Sequence, residues 1–305
     1  MKAGIQVATS PYGPEDQLGA LNQITSAMQA AAMERTDAAR IYDLSIDYFV
    51  GMPSFQAAGD PSYQIYMSHT PEGTVVDNLN GVGSEVNQRV CYSGDVIFMY
   101  THTGTHIDAL NHFGVDGKIY NGFSASEHLG SRSWTKGGAE VIPPIVARGV
   151  LLDIARLKGV DCLPDSYAIT VDDCVDELAR TGLTLNAGDV ALVRTGRMRY
   201  WPDGSRTLGN PPGLSLDAGR WLTAQGIAVI GADQECVEVG PSQHEDNWLP
   251  GHCHFLAEAG VPMLELVNLE ELSQDEVNEF CLIAAPIRLR GATGSPIRPL
   301  AIPFR

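Results

Sequence analysis

The sequence predicts an α/β fold, and three observations predict it. Short apolar runs alternate with capped, amphipathic segments along the second half of the chain. Hydrophobic residues make up 44% of the 305 positions, ample for a packed core. No internal repeat and no long polar or low-complexity linker divides the chain, and Pro143-Pro144 and Pro211-Pro212 only punctuate loops. The expectation is one domain over residues 1–305, with 1–40 as an N-terminal extension packed on it.

Taken in order, residues 51–88 are rich in Gly, Pro, Ser and Asn and read as functional loops or an oligomer arm. Residues 95–100 form an apolar, β-branched and aromatic run that reads as a strand. Further strands are expected at 150–154, 189–194, 226–231 and 281–285, where continuous apolar runs indicate burial on both faces. Thr170 caps a helix over 171–181, Asp173 completes a capping box, and Gly182 stops it. Cys174, Val175 and Leu178 supply its apolar stripe. Ser215 and Gly226 bracket a second helix over 216–225. Phe255, Leu256, Ala259 and Val261 give a short helical pattern, and the tail 291–305 is too apolar to be loose.

Lys and Arg total 20 against 37 Asp and Glu, a net charge of −17. Such a surface repels phosphate backbones and anionic membranes, so neither nucleic acid nor membrane is an expected partner. The amino terminus lacks the apolar core of a secretory signal, no run approaches a membrane span, and the expected location is the cytoplasm. Cysteines at 91, 162, 174, 236, 253 and 281 show no C-x-x-C pair, which favours reduced thiols.

One stretch resists explanation as packing. His102-Thr103-Gly104-Thr105-His106-Ile107-Asp108-Ala109-Leu110-Asn111-His112 holds three imidazoles and a carboxylate in eleven residues, while five other histidines are spread along the chain. Neutral imidazole nitrogen and carboxylate oxygen suit a divalent ion, and close spacing keeps loop closure inexpensive. A strand leading into a loop places His102, Gly104, His106 and Asp108 on one face; a helix is disfavoured by Thr103, Gly104 and Thr105.

The same stretch resembles the H-x-G-T-H-x-D-x-P-x-H motif of the cyclase family, which includes bacterial kynurenine formamidase and isatin hydrolase. His102, Gly104, Thr105, His106, Asp108 and His112 match; Leu110 stands in the proline position, which removes no ligand. Residues 12–22, with Tyr12 in a tryptophan place, and Tyr42-Asp43-Leu44-Ser45 are similar to the opening of the longer members. Two later stretches, 231–238 and 291–296, are similar to further family signatures in the right order. The resemblance implies a swivelling β/β/α fold, with a central mixed barrel-like sheet and peripheral helices, in place of an ordinary α/β sheet. It also implies a homodimer or homotetramer.

In dinuclear formamidases a downstream histidine and a glutamate about twelve residues later complete the metal centre. Here His252 and His254 stand 13 and 11 residues before Glu265, neither spacing is clean, and Cys253 is a third option. Glu265 can also be read as a hydrogen-bonded polar residue near a strand end.

The expected ligands are His102, His106 and Asp108, with Mn²⁺ or Zn²⁺ as the cofactor, and one ion or two. An ion with an open position brings the pKa of water to about 7, and the resemblance assigns His112 the proton transfer that an imidazole performs near neutrality. G-x-S-x-G, Walker and dinucleotide motifs are absent. The expected reaction is hydrolysis of a C–N bond in a small amide, either a cyclic amide such as isatin or an aryl formamide. Alternatives are a metal-dependent cyclase or dehydratase acting on a carbonyl compound, and a non-catalytic metal-binding protein. Tyr48, Phe49, Trp201 and Trp248 are candidates for pocket walls or for packing.

Overall fold

The computed structural model describes residues 2–37 and 39–305. Thirteen strands are present among them: β1 (Tyr42–Asp43), β2 (Gln64–His69), β3 (Gly94–Phe98), β4 (His106–Asp108), β5 (Ile145–Asp153), β6 (Ala168–Ile169), β7 (Val190–Arg194), β8 (Gly213–Leu214), β9 (Val229–Ala232), β10 (Met263–Glu265), β11 (Glu279–Ala284), β12 (Gly294–Pro296) and β13 (Leu300–Pro303). Nine of these build one curled, half-barrel sheet in the order β1-β13-β11-β5-β7-β9-β10-β4-β12. Its centre, β5 to β10, is parallel, and both flanks are antiparallel.

Alternate side chains of the parallel strands feed two separate cores. Val150, Leu152, Ala191, Val193, Ile230 and Ala232 face the helical side, with Cys174, Leu222 and Phe255. Leu151, Val190, Leu192 and Val229 face the opposite side, with Ile107, Phe280 and Leu282. Burial on both faces accounts for runs without polar alternation. Three longer helices lie outside the sheet: α1 (Ser26–Glu34), α2 (Val171–Thr181) and α3 (Leu216–Ala224). Thr170 and Asp173 form the expected capping box, and Gly182 ends α2 at a φ of +68°. The N-terminal segment hydrogen-bonds to the body of the chain, Ala8 N to Ala257 O and Ala20 N to Gly260 O.

The run at 95–100 corrects one expectation. It does form a strand, but β3 pairs with β2 in a ribbon outside the main sheet, and residues 101–105 turn instead of extending the strand. Ile65, Tyr66, Met67, Val96, Ile97 and Phe98 of this ribbon are all exposed. The tail contributes β12 and β13, so its apolar residues serve the sheet. No helix among the described residues is long and apolar enough to cross a membrane.

Candidate metal centre

Strand β4 is the foundation of the site. His106 and Asp108 project from one face of it, as residues two apart on a strand must. The antiparallel register sets Glu265 of β10 opposite His106 and Gly294 of β12 opposite Asp108. Before β4, Gly104 adopts a φ of +64° and packs against Tyr48; a Cβ there would sit 2.7 Å from the tyrosine ring. That turn brings His102 back over the strand. Gly294 makes room for it, since a Cβ at 294 would lie 2.6 Å from the His102 ring.

The side chains converge. His102 Nδ1 lies 2.6 Å from Asp108 Oδ1, and its Nε2 lies 2.9 Å from Thr293 Oγ1. His106 Nδ1 donates to Gly104 O at 2.8 Å, which leaves Nε2 as a lone-pair donor. That Nε2 is 3.2 Å from Asp108 Oδ1 and 3.4 Å from Glu265 Oε2, near both and hydrogen-bonded to neither. From the far side, His252 directs Nε2 to within 3.4 Å of Glu265 Oε1 and 3.8 Å of Asp108 Oδ2. His112 stacks on His102 at 3.9 Å between ring centroids. Two triads result, His102/His106/Asp108 and Asp108/His112/His252, and they share Asp108.

The donor set fits a divalent cation. His106 Nε2, Asp108 Oδ2 and Glu265 Oε1 are buried with no hydrogen-bond partner, a costly state unless something electropositive stands between them. The electrostatics agree. Burial opposes protonation of His106 and His252, yet the facing carboxylates push them up to about 10 and about 9. Burial and the charge of Asp108 push Glu265 up to about 7. Burial alone would raise Asp108, but His112 and His102 hold it well below the ordinary carboxylate range. Burial keeps His102 and His112 below the usual imidazole value. The group is short of positive charge, and nitrogen and carboxylate oxygen are the donors Mn²⁺ and Zn²⁺ accept.

Comparison with known proteins bears on the family and the fold. The Cyclase family model matches residues 42–239, well over half of the chain. The chain belongs to the cyclase family. A solved structure of a cyclase superposes on it with a TM-score of 0.84 at 31% identity, covering 97% of this chain and 99% of that one. Kynurenine formamidase of Bacillus cereus is 26% identical over 209 residues, 68% of this chain and 78% of that protein. Isatin hydrolase A from Ralstonia solanacearum shares the fold, with a TM-score of 0.65, 22% identity, and coverage of 89% and 94%.

In this cyclase-family chain His254 departs from the cluster. Its Nδ1 lies 2.7 Å from Glu258 Oε2 and its Nε2 lies 3.0 Å from Thr223 Oγ1 of α3, on the other side of its helix. Cys253 contacts Gly114 O at 3.6 Å and is equally remote from a ligand role. Leu110, in the family's proline position, is buried in the helical-side core.

Glu238 is the residue that sequence reasoning missed. It accepts from His252 Nδ1 at 2.5 Å, from His252 N at 2.7 Å and from Gly251 N, and so fixes which ring nitrogen faces Asp108. A glutamate followed fourteen residues later by a histidine carries no recognisable spacing. Only its place in the 231–238 signature marked it.

A cavity of about 500 Å³ opens beside the cluster. Phe55, Tyr100, Phe113 and Trp248 line it, whereas Tyr48, Phe49 and Trp201 lie outside it. A second hollow of about 700 Å³ lies at Arg156, Arg194 and Arg199. All three guanidinium groups already pair with carboxylates there.

Proposed function

We propose that this protein is a metal-dependent hydrolase that cleaves the C–N bond of a small aromatic amide, a formamide or a cyclic amide. The observation that carries the reading is the convergence of three unpartnered, buried donor atoms, His106 Nε2, Asp108 Oδ2 and Glu265 Oε1, beside an aromatic-walled cavity. The relatives named kynurenine formamidase and isatin hydrolase A support the substrate class. His102, His106, Asp108, His252 and Glu265 would hold Mn²⁺ or Zn²⁺. When bound, the ion supplies Lewis acidity that polarises the amide carbonyl and acidifies water.

The chain's own groups do the rest. Phe55, Phe113 and Trp248 hold the aromatic body of the amide. His112, neutral because it is buried, takes the proton of the attacking water on an imidazole nitrogen. A bond forms from the water oxygen to the carbonyl carbon and the C–N bond breaks. His112 then returns the proton to the leaving nitrogen. Glu238 holds His252 in one tautomer throughout.

The test begins with metal analysis of the purified protein, followed by chelation and reconstitution with Mn²⁺ or Zn²⁺. Aryl formamides and isatin-like lactams are then screened by mass spectrometry. The expected product is heavier than its lactam by one water, or is the amine plus formate, and activity returns with the ion. Full activity in metal-free protein defeats the reading. We extend the proposal to a homo-oligomer, supported by the exposed apolar ribbon β2–β3, with sedimentation as its check.

A further inference from the structure

Three histidines of the metal centre each have one ring nitrogen held by a neighbour. His106 Nδ1 is held by Gly104 O at 2.8 Å and His252 Nδ1 by Glu238 Oε1 at 2.5 Å. A carbonyl and a carboxylate only accept, so each fixes its ring with Nδ1 protonated and the lone pair on Nε2. His102 is arranged the other way round. Its Nδ1 is the nitrogen at the cluster, 2.6 Å from Asp108 Oδ1, and its Nε2 is held by a hydroxyl, Thr293 Oγ1, at 2.9 Å.

Little else around His102 is polar. Tyr100 and His112 lie against the ring with centroids at 4.8 and 3.9 Å, and a Cβ on Gly294 would lie 2.9 Å from each ring nitrogen. The backbone places the hydroxyl. Thr293 O accepts from Ala109 N at 2.9 Å, one residue after Asp108, and β12 begins at the next residue. The register that sets Gly294 opposite Asp108 therefore also brings Thr293 to Nε2.

A neutral imidazole carries one N–H and one lone pair. With no cation bound, Nδ1–H donates to the Asp108 carboxylate and Nε2 needs a donor. For Nδ1 to give its lone pair to a cation, the N–H must stand on Nε2, which then needs an acceptor. Nδ1 loses one proton and Nε2 gains one, both exchanged with water, and the ring stays neutral. A hydroxyl serves both states because it donates one hydrogen bond and accepts others.

We propose that Thr293 is the positioning residue of His102 and sets how tightly the centre holds its ion: the hydroxyl donates to Nε2 when no cation is bound and accepts from Nε2–H when one is. This role rests on the metal-binding half of the hydrolase reading and on no particular substrate.

The experiment measures Zn²⁺ affinity by competition with a chromophoric chelator in the native protein and in Thr293→Val, Thr293→Ala and Thr293→Ser, each checked for folding by circular dichroism. Valine matches threonine in shape, and every variant keeps the backbone carbonyl that receives Ala109 N. Without the hydroxyl, Nε2–H has no acceptor, and affinity in the valine and alanine variants is expected to fall about 10- to 100-fold, while the serine variant stays within about threefold of native. Nitrogen NMR on protein with isotope-labelled histidine supplies the second readout, the His102 signals being assigned by their loss in His102→Gln. The N–H is expected on Nδ1 without Zn²⁺ and on Nε2 with it. Native affinity in either the valine or the alanine variant overturns the proposal, as does a serine variant as weak as these two, or an N–H that stays on Nδ1 in the Zn²⁺-loaded protein. A native protein that takes up no Zn²⁺ defeats the metal reading and the role of Thr293 together. Affinity that follows the Thr293 hydroxyl in a protein inert toward formanilides and lactams defeats the hydrolase reading alone.

Discussion

His252 and His254 are separated by one residue, are 3% and 4% exposed, and serve opposite sides of the same short helix. His252 faces β4 and β10, where it meets Asp108 and Glu265. His254 faces α3, where Thr223 and Glu258 satisfy both of its nitrogens. Helical periodicity explains the split. Two residues advance by about 200° around a helix, so a histidine pair at i and i+2 cannot share a target; on a strand the same pair would. Distance along the chain to Glu265 therefore could not choose between them. What stands opposite each ring decides its role.

The largest expected effect comes from the residue both triads share. Asp108→Ala removes the carboxylate that touches His102, His106 and His252, and turnover should fall on the order of 10³-fold, the equivalent of about 4 kcal/mol of lost stabilisation. Metal content, measured on the same preparation, should fall with it. A variant that keeps both would remove Asp108 from the centre and make the comparison of the two histidines irrelevant to catalysis.

His252→Ala against His254→Ala is the direct contest. The His252 variant should lose bound metal and most of its turnover, because its Nε2 closes the far side of the group. Turnover in the His254 variant should stay within about threefold of native, and its metal content should not change. Matched losses in the two variants would break the comparison.

Glu238→Gln sharpens it. A glutamine keeps one carbonyl oxygen for His252 N and Nδ1, but its amide group meets Gly251 N donor to donor and the negative charge that steadies the ring is gone, so the hold on the tautomer weakens. Metal affinity should drop about 10- to 100-fold, read by competition with a chromophoric chelator. Glu238→Asp, which keeps the charge, should recover part of that loss. An unchanged affinity would mean that His252 needs no holder.

How much of this was legible in the sequence depends on how local each interaction is. His102, His106, Asp108 and His112 lie within one strand and the turns on either side of it, so their spacing already carried the geometry. Helix α2 was legible to its ends for the same reason, since its cap and its stop lie in the local sequence. Glu265 was visible as an acid near a strand end, but its place opposite His106 is a property of the β4–β10 register, set by tertiary packing. The bond from Glu238 to His252 spans fourteen residues and two elements and left no pattern. The run at 95–100 misled in a different way: its hydrophobicity correctly gave a strand, but β2 and β3 show that apolar surface outward instead of burying it. Apolar composition reports a preference for cover, not who provides it.

The smallest effect tests the His254 side of the comparison alone. His254→Ala removes hydrogen bonds to Glu258 and Thr223, and Thr223 keeps its bond to Arg220 O while Glu258 keeps Arg220 within 3.7 Å. The cost should therefore be about 1 to 2 kcal/mol of folding stability, measured by chemical denaturation with the metal present. Because α3 and the helix at Cys253–Glu258 pack through Phe255 and Leu222, which the change leaves in place, that loss should not reach the orientation of His252. Metal affinity then remains native within about twofold even as stability falls. A loss of affinity larger than this would show that the two faces of the helix are mechanically coupled, and that His254 steadies the ring two residues before it.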